Sequence, residues 1–139
     1  MSDLSTTSFE RQGLDDAFAA DEVRKSNLIL EGRLLEARQQ WDEAAQKFAE
    51  AAEQEERLGN HCAMLSLRDR ASLHFYSAAS CWARAGNFYR AIALCDDLLG
   101  RSDVSESLRQ RIQDYAHALR SRRAQWLTGV PQLAAPAGV

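Results

Sequence analysis

Three features of the sequence predict an all-α protein built from antiparallel helical hairpins. Ala (23 copies) and Leu (17) dominate, whereas Val, Ile and Thr together number 10 in 139 residues. Ala and Leu lose little entropy in a helix, while strands draw on β-branched side chains. The two prolines, Pro131 and Pro136, lie near the C-terminus and leave the preceding 130 residues without an obligatory helix breaker. Apolar residues recur at steps of three and four almost without interruption between the two ends. With 45% hydrophobic and 27% charged residues, the length suits one domain with an ordinary core and excludes a large multidomain enzyme.

Residues 1–13 are polar and aperiodic and read as a flexible N-terminus, although Leu14, Ala17 and Phe18 could open a short docking helix. The domain is expected over 14–127. Its first stretch runs through Val23, Leu30, Leu34 and Ala37, with Leu28 and Leu35 widening the stripe. A second begins after Trp41, with Asp42 as a cap, and puts Ala44, Ala45, Phe48, Ala51, Ala52 and Leu58 on one face. Gly59 and Asn60 read as its stop, since both tolerate the left-handed conformation that ends helices. The third is expected from about His61 to Ala85, through Leu67, Ala71, Phe75, Ala78 and Trp82, and stops at Gly86 and Asn87. The fourth carries Phe88, Ala91, Ile92, Cys95, Leu98 and Leu99 and ends at Gly100. The fifth, 103–126, opens with Asp103 and Glu106 in capping-box spacing and carries Val104, Leu108, Ile112, Tyr115, Leu119 and Trp126. A flexible tail is expected over 128–139. Short breaks between helices imply antiparallel neighbours.

The second hairpin can be laid on the first. Trp41 through Ala51 aligns with Phe88 through Leu98: each opens with an aromatic, has Ala three residues on (Ala44, Ala91) and a larger side chain four further on (Phe48, Cys95). Upstream, Gly32 and Leu35 match Ala79 and Trp82. Small residues let two helices approach and larger ones fill the space beside the contact. This order resembles the tetratricopeptide repeat, with repeats at about 25–58 and 72–99 and a capping helix at 103–126. The resemblance implies a right-handed array of about five helices. The sequence departs from the family in its offset of 47 residues against a family period of about 34, in lacking a closing Pro, and in having two units where about three are needed. A longer third helix or loop is expected to absorb the offset, and the capping helix or self-association to cover the ends.

The same resemblance implies a noncatalytic protein–protein interaction module, a scaffold or adaptor, whose first helices line a concave groove for a partner segment. Carried over by position, the groove holds Ser26, Ile29, Arg33, Glu36 and Ala37, then Leu73, Tyr76, Ser80, Ala83 and Arg84. Arg33, Glu36, Tyr76, Ser80 and Arg84 are the candidate binding residues, with Arg offering a planar donor fork and Tyr a large contact area. Ile29 and Arg33 stand where a carboxylate clamp would begin, so chaperone-tail recognition is disfavoured. The alternative is a helical-bundle regulatory or sensor subunit binding a small ligand in a closed apolar pocket between the third and fifth helices.

Charge bears on partners. Residues 1–60 carry 7 basic and 14 acidic groups, and residues 61–139 carry 10 and 6, so the halves are net −7 and +4 and could attract between copies as a homodimer or homo-oligomer. The whole chain, at −3, is too acidic for the basic footprint of a nucleic-acid binder, and no nucleic acid is expected. No window approaches about 18 consecutive apolar residues, so no membrane partner is expected. The first 25 residues lack a signal-peptide pattern, and Cys62, Cys81 and Cys95 form no CxxC pair; a cytoplasmic location with free thiols is expected.

Catalytic and cofactor chemistry finds no constellation. His61, Cys62, His74 and Cys81 are zinc-ligand types without finger spacing, and read as packing cysteines and surface histidines. Cys81 or Cys95 with His74 or His117 would make a thiol–base pair, but nothing local holds them together. Glu50, Glu53, Glu55 and Glu56 read as the solvated face of the second helix. Gly59, Gly86 and Gly100 each read as a helix end, not as a phosphate loop. A helix-turn-helix over 94–112 would place Asp96 and Glu106 in the helix contact, where unpaired charge is costly. Arg120, Arg122 and Arg123 suit a helix C-terminus or an acidic partner. The sequence therefore predicts no enzyme, no cofactor and no metal site.

Overall fold

The computed structural model describes residues 13–134, with side chains to Thr128; residues 1–12 and 135–139 lie outside the described residues. It is all-helical, as predicted, with α1 (Asp16–Ala37), α2 (Trp41–Met64), α3 (Arg68–Arg84), α4 (Phe88–Leu99) and α5 (Glu106–Ala134). Each helix packs on the next in the chain. Leu14 and Phe18 do not start a separate docking helix. They are buried at the start of α1, where the Asp15 carboxylate accepts from the Phe18 N–H at 3.0 Å.

Three successive connections share one geometry. Gln39 (φ 60°), Ser66 (φ 60°) and Gly86 (φ 85°) each adopt the left-handed conformation. The N–H of the following residue then bonds back five residues: Gln40 to Leu35 O at 2.9 Å, Leu67 to Cys62 O at 2.9 Å and Asn87 to Trp82 O at 2.8 Å. This is the Schellman closure of a helix end. The next helix starts at the residue after, so each of the first three hairpins turns through the same short link.

That geometry corrects the predicted boundary at Gly59 and Asn60. α2 continues through both to Met64, and the turn falls at Leu65–Ser66. Gly59 is buried inside the helix against Phe75, where an added Cβ would come within 3.0 Å of the ring. It allows close approach of α3 and does not stop α2. The extra length expected in the third helix or its loop therefore lies in α2, with 24 residues, and α3 has only 17.

The other end also differs from expectation. α5 starts at Glu106, and its cap is the Ser105 hydroxyl, which accepts from the Leu108 N–H at 3.3 Å; Asp103 instead faces Arg68 at 3.7 Å. Asp42 likewise lies in the first turn of α2 and does not cap it. α5 extends to Ala134, so the expected tail from 128 is helical as far as the structure describes it. The Arg109 guanidinium of α5 donates to Leu99 O, at the end of α4, at 2.7 Å and to Arg101 O in the longer α4–α5 link, tying α5 to both.

The core follows the small-against-large logic of the aligned hairpins. Gly32 lies against Phe48, whose ring is fully buried, and a Cβ on Gly32 would come within 2.8 Å of it. Ala44, Ala79 and Ala91 are buried at the corresponding contacts, and Cys95 fills the Phe48 position of the second hairpin. α5 closes the far side with Leu108, Ile112, Ala116 and Leu119.

Candidate functional site

Alternate helices also touch, which arranges the chain in two layers. Glu22 meets Arg70 at 3.4 Å and Glu36 meets Arg84 at 3.1 Å. Both pairs join α1 to α3 at the same offset of 48 residues, so these helices run parallel and in register. α3 meets α5 through the Tyr76 and Tyr115 rings, edge-on with centroids 5.7 Å apart. In the other layer, Arg90 of α4 makes two bonds to the Glu56 carboxylate of α2, at 2.7 and 3.0 Å. The faces of α1, α3 and α5 thus lie side by side.

The predicted groove residues fall into two groups on this face. At the C-terminal ends of α1 and α3, Arg84 is held by Glu36 and also stacks on the Phe48 ring at 4.8 Å. Arg33 is exposed nearby, and its charge, with those of Lys25 and Arg84, acts on the Cys81 thiol. Farther along α3, Tyr76 packs on Tyr115, Ser80 stands near the Tyr115 hydroxyl, and Arg111 lies 5.5 Å over the Tyr76 ring. Burial raises both tyrosine hydroxyls above their ordinary range. Of the other positions carried over, Ser26, Ala37 and Leu73 are exposed, Ile29 is half-buried, and Ala83 is buried in the core.

Between α3 and the start of α5 lies an open cleft of about 280 Å³, lined by Asp69, Leu73, Ser105, Ser107, Leu108 and Arg111. Four of these six side chains are polar or charged. The ligand-binding bundle considered from the sequence calls for a closed apolar pocket between these helices, and this cleft has a different character.

A buried polar cluster sits beneath the face, and the sequence reading missed it. Glu55 of α2, 1% exposed, is 2.8 Å from His74 Nδ1 and 3.7 Å from Lys25 Nζ. His74 Nε2 is 3.9 Å from Glu22, and the Phe18 ring stands edge-on to the imidazole at 5.9 Å. Glu55 and His74 are therefore not the solvated glutamate and surface histidine expected. Glu56 is half-buried too, accepting from Trp82 Nε1 at 2.6 Å as well as from Arg90. The reason is that α2 lies between α1 and α3. Its buried stripe widens to take in Gln54 and Glu55, whose polar side chains need partners once buried.

Cys81, Cys95 and His74, three of the residues considered for a thiol–base pair, are buried. The three cysteines are buried and free, and burial raises their thiols, Cys81 to about 12 and Cys95 to about 11. A thiol so raised is a poor nucleophile. His74 is taken by Glu55. Among the described residues no group of His, Cys, Asp and Glu is placed to hold a metal ion, and no helix is long and apolar enough to cross a membrane. No family model, curated protein or solved structure matches the chain.

Proposed function

We propose that this chain is a noncatalytic protein-interaction module, similar in design to a tetratricopeptide scaffold, that holds a partner segment along the face of α1, α3 and α5. Arg33, Glu36, Tyr76, Ser80 and Arg84 would make the contacts, joined by Leu73 and Arg111. The observation that carries this reading is the in-register parallel packing of α1 and α3, set by the two ion pairs 48 residues apart. Parallel helices of that kind present side chains in a regular row to an extended chain.

The chemistry of the row favours an acidic segment with an apolar anchor. Arg33 and Arg111 are exposed and make no ion pair among the described residues, while the cleft beside Leu73 and Leu108 has room for one side chain. Arg84 is already neutralised by Glu36, so it contributes through its stacked plane and remaining donors. A cytoplasmic setting with reduced thiols fits the same reading. The test is selection from a displayed random peptide library by the full chain and by an Arg33→Glu, Arg111→Glu variant. Acidic peptides enriched by the first and lost by the second support the proposal; peptides that bind both equally refute it.

A further inference from the structure

α1 has a second apolar face that no other described residue covers. Its inner face, with Phe18, Lys25, Ile29 and Gly32, packs on α2 and α3. On the opposite side stand Ala20, Val23, Asn27, Leu30, Leu34 and Ala37, spaced three, four, three, four, three. Alternating steps of three and four define a coiled-coil seam. Val23, Leu30 and Leu34 are 60%, 55% and 51% exposed. A helix facing only water would carry polar residues at these places.

We infer that this seam pairs with the same seam of a second copy, antiparallel across a two-fold axis. Charge selects the orientation. In a parallel pair the flanking positions would set Arg33 against Arg38 of the second copy, and Arg24 would meet Ala19. In an antiparallel pair with Val23 opposite Leu34, Arg24 meets Glu31 of the second copy, and the symmetry makes that pair twice. Ser26 then faces Arg33, and Ala20 faces Ala37. Asn27 falls in the layer next to Asn27 of the second copy, where the two amides can bond and fix the register. Arg24 and Glu31 are 66% and 51% exposed, and their contacts within one copy, to Asp21 at 3.8 Å and Lys47 at 3.3 Å, are surface pairs that compete weakly. The seam covers 18 residues, Ala20 to Ala37, or about 27 Å of helix. So short a contact gives a reversible dimer, not an obligate one.

Sedimentation equilibrium of the full chain at low salt should show a reversible monomer–dimer exchange below about 1 mM. Leu30→Glu with Leu34→Glu should weaken it at least about tenfold while leaving the unfolding midpoint of the dilute monomer unchanged, because both side chains are exposed. Arg24→Glu and Glu31→Arg should each weaken it, and the two together should restore it, since the swapped pair meets again only in the antiparallel register. A chain that stays monomeric to about 1 mM, a dimer indifferent to the Leu changes, or a charge swap without rescue would each overturn the inference. None of these four positions belongs to the proposed groove, so failure here leaves the groove reading standing.

Discussion

Replacing Gly32 by Ala sets two effects of known size against each other. In the interior of α1, Ala is favoured over Gly by about 1 kcal/mol because it loses less backbone entropy. Against that, the new Cβ would stand 2.8 Å from Phe48 Cε2 and 2.9 Å from Cζ, closer than carbon atoms pack. The ring is fully buried and cannot swing into solvent. Relief must come from α1 and α2 moving apart, and overpacking of this kind costs about 1–3 kcal/mol. Packing wins, and Gly32→Ala should destabilise the fold by about 1 kcal/mol net, or lower the melting temperature by a few degrees. Urea unfolding followed by circular dichroism measures it. Phe48→Leu should cost less in the Gly32→Ala background than alone, with a coupling of about 1 kcal/mol. A variant stabilised by the full helix-propensity gain would show that α1 and α2 do not meet at this point.

The buried cluster and the thiols give three more expectations. Glu55→Ala should cost about 3 kcal/mol in urea unfolding, because Lys25 and His74 lose their buried partner, whereas Glu55→Gln, which keeps an acceptor for His74, should cost less; equal losses would count against the cluster. Trp82→Phe removes the Nε1–H bond to Glu56 and should cost about 1–2 kcal/mol, most of which disappears if Glu56 is already Ala. The raised thiols make native Cys81 and Cys95 slow to react with iodoacetamide until the chain unfolds, and labelling at the unfolded rate in native buffer would contradict their burial. Because the folded thiols keep their protons longer than the unfolded ones, stability from this source is complete below about pH 8.5. It falls as pH rises toward the folded values near 11 and 12, which alkaline unfolding curves would register.

How far the sequence could be read depended on whether a residue's meaning is local. Gly32 and Phe48 announce a close helix contact through their places in a repeated small-and-large pattern, and the structure puts them in contact. Gly59 is ambiguous, because a glycine can end a helix or admit a neighbour, and only the ring of Phe75 across the interface decides which. The turns at Gln39 and Ser66 carry no left-handed signature, yet they close like the one at Gly86. Glu55 was illegible for a different reason. A helix packed on two sides buries more than one stripe, so an acidic residue beside the apolar one reads as solvated until its partners on α1 and α3 are known. The groove residues were placed by analogy of position, which put Arg84 and Glu36 on one face without indicating that they neutralise each other.

The exposed apolar side of α1 links the groove to the α1 seam. A stack of helical hairpins buries each hairpin against the next, so its two ends need some other cover. At the C-terminal end α5 supplies it by laying Leu108, Ile112, Ala116 and Leu119 on the core. At the N-terminal end α1 covers α2 and α3 with one face but shows Val23, Leu30 and Leu34 on the other. An antiparallel α1 pair would remove that exposed edge and join two five-helix arrays into one symmetric stack ended on both sides by α5. Tyr76, Ser80 and Arg111 of each copy would remain open to a partner, while Arg33, on the rim of the seam, would stand where the two functions meet. Occupation of the groove near Arg33 should then respond to dimerisation, whereas contacts at Tyr76 should not.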